Sequence, residues 1–318
     1  MLGDLIVCYL FLGGAGAGTC FVLAAMTLLV PADVLSDRAS QNEAASGGLS
    51  VPVPYRRLFG SGYAVALAAL LGGVACLLAD VGNADRVVLL FTHPTWSFLT
   101  VGAWALTVCM LLATLLGSAW LGAGSWSLFA LRGIAVVSGV IALVVATYTG
   151  LLLQSMAAVP LWATPLLPVL FVASSVSCGI ACVLGSSHVS GAALPFATVA
   201  RRLAAIDIAV IVLEVAVAGV FAGMALAVGD EPSTGTSVAA LASAQELLIG
   251  EGSWLFWVGF VTVGLVIPVV LEVILTRMRR PLTLVALSSA ACVLVGGFVL
   301  RLSIVEAGMH PLLACVIG

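Results

Sequence analysis

A small group of polar side chains lies where one long apolar stretch ends and the next begins. Tyr148 and Gln154 come at the end of the first stretch, and the turn that follows holds no charge. Pro160 and Pro165 stop the first helix and allow the second to start. A phenol and an amide at the mouth of an apolar bundle suit an amphiphilic ring compound. The spacing is also compatible with an interfacial aromatic belt that contains Tyr148 and Trp162.

Two carboxylic acids lie inside another apolar stretch. Asp207 and Glu214 are seven residues apart, so both lie on one helix face, about 10 Å apart along the axis. Ionisable side chains at such depth are costly and usually face a partner, a cavity or a proton route. The two acids are therefore candidates for a proton route, with a structural contact, for example to Arg132, as the alternative. Arg301 also lies within an apolar stretch, where it could be an anchor whose guanidinium extends to the membrane surface.

The composition indicates a membrane protein. Of the 318 residues, 63% are hydrophobic and 8% are charged, and the mean hydropathy is +1.27. The apolar stretches are continuous rather than alternating, which excludes a transmembrane β-barrel and predicts an all-α, polytopic protein. We therefore expect a lipid bilayer, and not a nucleic acid, as its surroundings.

The cysteines and histidines do not form a metal-binding pattern. The eight Cys include no CxxC pair, and the three His lie near the ends of apolar stretches. A bis-histidine haem needs paired His within the membrane. We therefore expect neither haem nor metal in this protein.

The apolar stretches predict eight transmembrane helices. Their expected ranges are 5–30, 58–79, 96–116, 132–153, 161–184, 201–228, 253–276 and 282–305. The segment between the first two helices is rich in Ser, Gly and Pro, and we expect a flexible linker there. An acidic loop is expected between the sixth and seventh helices.

Arginine placement predicts the orientation in the membrane. Of the 11 basic residues, nine lie in or beside the segments that follow odd-numbered helices, Arg86 lies on the opposite side, and Arg301 lies within a helix. We therefore expect the Arg-rich side in the cytoplasm and both termini outside. The candidate residues then expected at the outer end are Asp4, Cys8, Asp80, Tyr148, Gln154 and Arg301.

The first predicted helix contains a run of small residues, GGAGAG, at positions 13–18. The run is not a nucleotide-binding loop, because no strand precedes it. Small residues four apart allow another helix, or a flat ligand, to approach the backbone closely. Gly13 and Gly16 are therefore candidate ligand contacts.

Several segments together resemble the NrfD-like family, the membrane subunit of polysulfide reductase and its relatives. The resemblance depends on the Asp207 and Glu214 pair and on the order of four motifs across nearly the whole sequence. These motifs are YLFLGGAGAG at 9–18, YTGLLLQ at 148–154, PLWATPLLPVLFVASSVSCG at 160–179 and GGFVLRLSIVEAG at 296–308.

The resemblance implies a fold and a set of partners. It implies an eight-helix subunit made of two four-helix bundles, residues 1–157 and 158–318, in the bacterial cytoplasmic membrane. It implies a menaquinone or ubiquinone site in the first bundle near the outer surface. A ferredoxin-like iron–sulfur subunit docks there and connects the quinone to a catalytic subunit, often a molybdopterin enzyme.

The resemblance also implies which residues bind the quinone. Tyr148 matches the family's quinone-contacting tyrosine. Family members can carry Asn and His before the glycine run, and this protein has Asp4 and Cys8 there. The full candidate set for quinone binding is Tyr148, Gln154, Gly13, Gly16, Asp4, Cys8, Asp80 and Arg301.

Two other classes of protein share some of these features. A secondary transporter would also have apolar spans with buried carboxylates, but it usually shows an internal repeat with broken helices. The two halves of this sequence show no convincing repeat. A passive membrane anchor would need neither Glu214 nor the outer polar cluster.

Overall fold

A computed structural model describes residues 4–31, 51–81, 98–123, 126–156, 159, 161–227, 235–250, 252–278 and 282–317. Within these residues, eight helices are long and apolar enough to cross a membrane, which confirms the predicted all-α, multi-pass architecture. They are α1 (Asp4–Leu29), α2 (Val53–Val81), α3 (Phe98–Trp120), α4 (Leu128–Gln154), α5 (Leu166–Val189), α6 (Ala197–Ala227), α8 (Leu255–Val266 continued by Ile267–Arg277) and α9 (Thr283–Ile317). A shorter helix, α7 (Gly235–Leu248), lies between α6 and α8.

Several boundaries differ from those expected, and the last helix, α9, continues to Ile317 rather than ending near residue 305. The second helix begins at Val53, so Arg56 and Arg57 lie in its first turns rather than in a linker. The fifth begins at Leu166 rather than at residue 161, because the backbone first forms turns and Pro165 then occupies the N-cap position. The predicted acidic loop contains the helix α7. The expected linker at residues 32–50 lies outside the described residues.

Helix α4 has well-defined ends, and these ends position Tyr148. The Ala130 amide donates to the Ser127 hydroxyl at 3.2 Å, which caps the N-terminus. The helix ends at Gln154, and the Ser155 amide donates back to the Leu151 carbonyl. Tyr148 therefore lies in the next-to-last turn of a regular helix.

Helices α1 and α5 form the centre of the molecule. The most apolar parts of α1 and α5 are 67% and 78% buried, against 28% for those of α2, α4 and α8. They cross where a Cβ atom at Gly18 would overlap the Ser175 backbone carbonyl, and one at Gly179 would overlap Gly18. Close backbone contact of this kind is typical of membrane helices with small residues at the interface.

The remaining contacts form two groups around this crossing. Helices α2, α3 and α4 contact one another or α1, whereas α6, α8 and α9 contact one another or α5. Helices α1, α2 and α4 also contact α5, and α1 contacts α9. This pattern is compatible with two four-helix bundles, but their boundary at residues 157 and 158 remains a prediction.

Candidate functional site

The side chain of Tyr148 on α4 points inward, towards Tyr9 of α1 and Gly102 of α3, and these three residues define the Tyr148 cleft. It is 4% exposed, and its phenol interacts with that of Tyr9 on α1. The Tyr148 hydroxyl has no partner with hydrogen-bond geometry among the described residues. Burying a hydroxyl without a partner is costly. The cleft therefore presents one neutral donor and acceptor that a bound molecule can satisfy.

Gly102 on α3 makes room for the tyrosine ring. A Cβ atom at this position would overlap the Tyr148 ring. Gly102 was not predicted as a functional residue, because a lone glycine in an apolar helix gives no sign of its neighbour. The position of the phenol thus depends on a residue 46 positions earlier in the sequence.

The belt interpretation of Tyr148 and Trp162 is wrong. Both side chains are buried in the protein, at 4% and 1% exposure, rather than directed to the lipid interface. Trp162 donates its indole proton to the Ile304 carbonyl at 2.9 Å. It therefore fastens the turn after α4 to helix α9.

The other candidates around Tyr148 occupy different environments. Gln154 is half-buried at the end of α4, whereas Asp80 is exposed near the end of α2. Cys8 is half-buried on α1 and has interactions of its own. Asp4 begins α1, and its side chain lies outside the described residues. The roles of all four in quinone binding remain predictions.

The glycine run is mainly a helix-packing surface. A Cβ atom at Gly16 would lie 2.7 Å from the Leu70 side chain, and one at Gly14 would lie 2.7 Å from the Arg301 guanidinium. This confirms that the run allows other helices to approach closely. Gly13 differs, because its nearest neighbour is the Tyr9 ring, 3.9 Å from the Cβ position. Ligand contacts at Gly13 and Gly16 remain predictions.

Arg301 is fully buried, so its interpretation as a surface-reaching anchor is wrong. Its guanidinium donates to the Gly297 carbonyl at 2.6 Å, to the Ser174 hydroxyl at 3.3 Å and to the Ser175 hydroxyl at 3.0 Å. It also lies over the rings of Phe171 and Phe11, at 5.1 and 5.8 Å from their centroids. These groups solvate the charge where lipid could not.

Glu214 is the acidic partner of this arginine. It is 3% exposed and interacts electrostatically with Arg301. Arg132, which was the example of a structural contact for the two acids, instead donates to the Val30 carbonyl at 2.9 Å, beyond the end of α1. The pairing was not visible in the sequence, because Arg301 and Glu214 are 87 residues apart and meet only through the packing of α5, α6 and α9.

Asp207, two helical turns before Glu214 on α6, has a different neighbour. Its carboxyl group is fully buried and interacts with that of Glu272 on α8. Glu272 accepts a hydrogen bond from Ser289 at 3.2 Å. The described residues therefore contain a line of buried polar groups through the helices of the second half: Ser289, Glu272, Asp207, Glu214, Ser174 and Arg301.

Metal ligands were not expected from the sequence. Within the described ranges, no group of three or more His, Cys, Asp or Glu side chains could hold a metal ion. Because parts of the sequence lie outside these ranges, the lack of haem and metal remains a prediction.

Comparison with known proteins agrees with the resemblance. The protein is 32% identical over 178 residues to Protein NrfD of Escherichia coli, covering 56% of this sequence and 53% of that protein. It is 34% identical over 183 residues to the C subunit of polysulfide reductase from Wolinella succinogenes, covering 56% of this sequence and 54% of that protein. The aligned part thus spans about half the length of each relative. A family model described as polysulphide reductase, NrfD, matches residues 2–312, so the protein belongs to this family of polytopic membrane proteins.

Proposed function

We propose that this protein is the quinone-reacting membrane subunit of a redox complex. It passes electrons between menaquinone or ubiquinone and an iron–sulfur subunit. The observation that carries the proposal is the buried Tyr148 hydroxyl, which has no hydrogen-bond partner among the described residues. Family membership supports a redox role, and the Wolinella relative is by name one part of a polysulfide reductase.

The phenols of the cleft suit a quinone for a chemical reason. A quinone and its quinol form a two-electron, two-proton redox couple. The oxygens of the quinone accept hydrogen bonds, and the hydroxyl groups of the quinol donate them. A tyrosine hydroxyl can donate or accept without carrying charge into an apolar cleft. Tyr148 would hold one ring oxygen, and the Tyr9 phenol lies beside its hydroxyl.

The partner subunits bind at the outer face in this proposal. Tyr148 lies near the outer end of α4, and the turn after it is short, so a docked iron–sulfur cluster can approach the cleft closely. The iron–sulfur subunit connects in turn to a catalytic subunit, which the family resemblance suggests is a molybdopterin enzyme. The turn after α4 contains no arginine, unlike the loops on the opposite side.

The buried acids handle protons in this proposal. Quinone reduction takes up protons and quinol oxidation releases them. Asp207 and Glu214 lie on one face of α6 and belong to the buried polar line described above. Their spacing of about 10 Å is short enough for one or two intervening polar groups or waters to connect them.

The Tyr148→Phe substitution tests the proposal. It removes one neutral hydrogen bond, typically worth about 0.5–1.5 kcal/mol, and leaves the ring to pack against Gly102. Quinone affinity or turnover should fall by a few-fold to roughly tenfold, while the purified complex keeps its subunits. Quinol oxidation or quinone reduction by the complex, and the quinone content after purification, provide the measurements.

Tyr55→Phe serves as the matched control. Tyr55 is half-buried near the start of α2, where its ring packs against Phe196 and Trp120. Its substitution should leave quinone affinity unchanged. If Tyr148→Phe assembles and reacts with quinone at the parent rate and affinity, the Tyr148 cleft is not the quinone site.

A further inference from the structure

Two carboxyl groups from different helices face each other near the Arg-rich side of the protein. Asp207 of α6 is fully buried and Glu272 of α8 is 1% exposed. Their carboxyl groups interact directly, and Ser177 of α5 lies beside Asp207. Ser289 of α9 donates to Glu272 Oε1 at 3.2 Å. Four helices thus converge on one pair of acids.

The remaining oxygens of the pair lack partners. Neither carboxyl oxygen of Asp207 nor Oε2 of Glu272 has a hydrogen bond among the described residues. Two ionised carboxylates are both hydrogen-bond acceptors, so they cannot form a hydrogen bond with each other, and their charges repel. One proton between them converts the repulsion into an O–H···O hydrogen bond. The geometry therefore favours a pair that holds a single proton.

The groups around the pair are few and can be named. Cys178 of α5 interacts electrostatically with Asp207 and Glu214, and Glu214 of α6 also interacts with Asp207. The buried cation, Arg301 of α9, interacts with Glu214 and Cys178. Its charge is thus directed to Glu214, one step further along the polar line. One proton on the Asp207 and Glu272 pair would halve its charge and remove the repulsion between the two carboxylates, which no cation beside the pair does among the described residues.

A pocket opens beside the pair. It lies between α5, α6, α8 and α9, and its lining includes His188, Arg201, Leu275 and Ala286. Leu275 lies three residues after Glu272, and Ala286 lies three residues before Ser289, so the pocket ends about one helical turn from the pair. The His188 imidazole can accept and release a proton.

We propose that Asp207 and Glu272 hold one proton between them and exchange it with the Arg-rich side of the membrane through this pocket. The pair is then a proton-binding site at the entrance of the buried polar line that leads to Glu214. The proposal extends the proton role given to Asp207 above and adds Glu272, Ser289 and the pocket. Its test does not involve quinone, so the two proposals can fail separately.

Infrared spectroscopy of the purified protein tests whether the pair holds a proton. A protonated carboxyl group gives a C=O band that shifts in D₂O. We expect such a band at neutral pH, altered in D207N and in E272Q and lost in the double variant. The substitution E306Q is the control, because Glu306 is an exposed acid on α9, 17 residues after Ser289. A band that is unchanged in the double variant would overturn the proposal.

The rate of deuterium exchange at this band tests the pocket. Ala200→Phe fills the pocket and should slow the exchange several-fold, because Ala200 belongs to its lining. Ala205→Phe is the matched control, since Ala205 is an exposed alanine on the same helix. Ala197→Leu adds a smaller side chain at a second lining position and should slow the exchange less, which keeps the test informative if Ala200→Phe does not fold. Exchange at the parent rate in both pocket variants would contradict the assigned route.

Discussion

The Tyr148 cleft shows how strongly a functional group depends on a residue that has no side chain. The phenol lies where it does because Gly102 leaves space for the ring, and Tyr9 lies beside the hydroxyl. The tyrosine was identified from its place at the end of an apolar stretch and from the family resemblance. Gly102 became visible only when α3 and α4 were packed together.

Gly102→Ala should therefore weaken quinone binding at the Tyr148 cleft although it removes no polar group. The added methyl group would overlap the Tyr148 ring, so the ring must move and its hydroxyl leaves its position. We expect a loss of quinone affinity at least equal to that of Tyr148→Phe, a few-fold to roughly tenfold or more. Quinone titration of the purified complex measures it.

Gly133→Ala is the control for this substitution. Gly133 lies on α4, and a Cβ atom there would meet nothing within 4 Å. Its variant should bind quinone as the parent does. Normal quinone affinity in a folded Gly102→Ala protein would show that the ring can relax at no cost to binding.

The buried acids and Arg301 mark the limit of what the sequence could predict at single residues. For Asp207 and Glu214, a position inside an apolar stretch correctly indicated burial or pairing, since free charges are costly there. For Arg301 it suggested a surface anchor, although the side chain is fully buried. Their partners could not be predicted. Glu214 faces Arg301 rather than Arg132, and Asp207 faces Glu272, because these contacts depend on how α6, α8 and α9 pack.

Helices were predictable as elements because a membrane requires about 20 consecutive apolar residues to span it. The eight spans follow from this requirement alone. The short helix α7 lies outside this rule and was missed. The π-helical part of α8, Leu255–Val266, was also missed, because its wider turns accompany the close crossing of Gly264 and Gly296 rather than a sequence pattern.

The crossing of α1 and α5 gives a prediction about stability. Gly18→Ala places a methyl group on the Ser175 carbonyl, which belongs to the backbone and cannot rotate away. The two central helices must therefore separate. Overpacking of this kind typically costs about 1–3 kcal/mol, occasionally more. Thermal unfolding of the detergent-solubilised protein should begin at a lower temperature.

Gly219→Ala provides the comparison for Gly18→Ala. It makes the same change on α6, where a Cβ atom would meet nothing within 4 Å. Alanine favours a helix over glycine, so this variant should be as stable as the parent or slightly more stable. Equal unfolding temperatures for the two variants would show that the stability of the protein does not depend on the close approach of the α1 and α5 backbones.

At the scale of the whole molecule, the arginine bias predicts the orientation in the membrane. Because an even number of spans separates them, both termini and the turn after α4 should face outward. A cysteine in place of Ser155, an exposed residue of that turn, should react with a membrane-impermeant maleimide in intact cells. A cysteine in place of Leu282, 41% exposed before α9, should react only after the cells are broken.

The parent protein, labelled in the same way, is the control for reaction of the native cysteines. The reverse pattern, with labelling at position 282 in intact cells, would show that the protein has the opposite orientation in the membrane. It would then place the Tyr148 cleft towards the cytoplasm and the pocket of Ala200 towards the outside. The proposed docking side of an iron–sulfur subunit would have to be reassigned with it.

The contact between Gly18 and Gly179 also has a consequence for how the protein is made. The two glycines are 161 residues apart in the sequence, so at roughly 5–20 residues per second the ribosome needs about 10–30 s to synthesise the second after the first. During that interval α1 is in the membrane without α5. Helix α2, which follows it directly and packs Leu70 against Gly16, covers one side of α1 early. The centre of the finished protein is therefore completed late in its biogenesis.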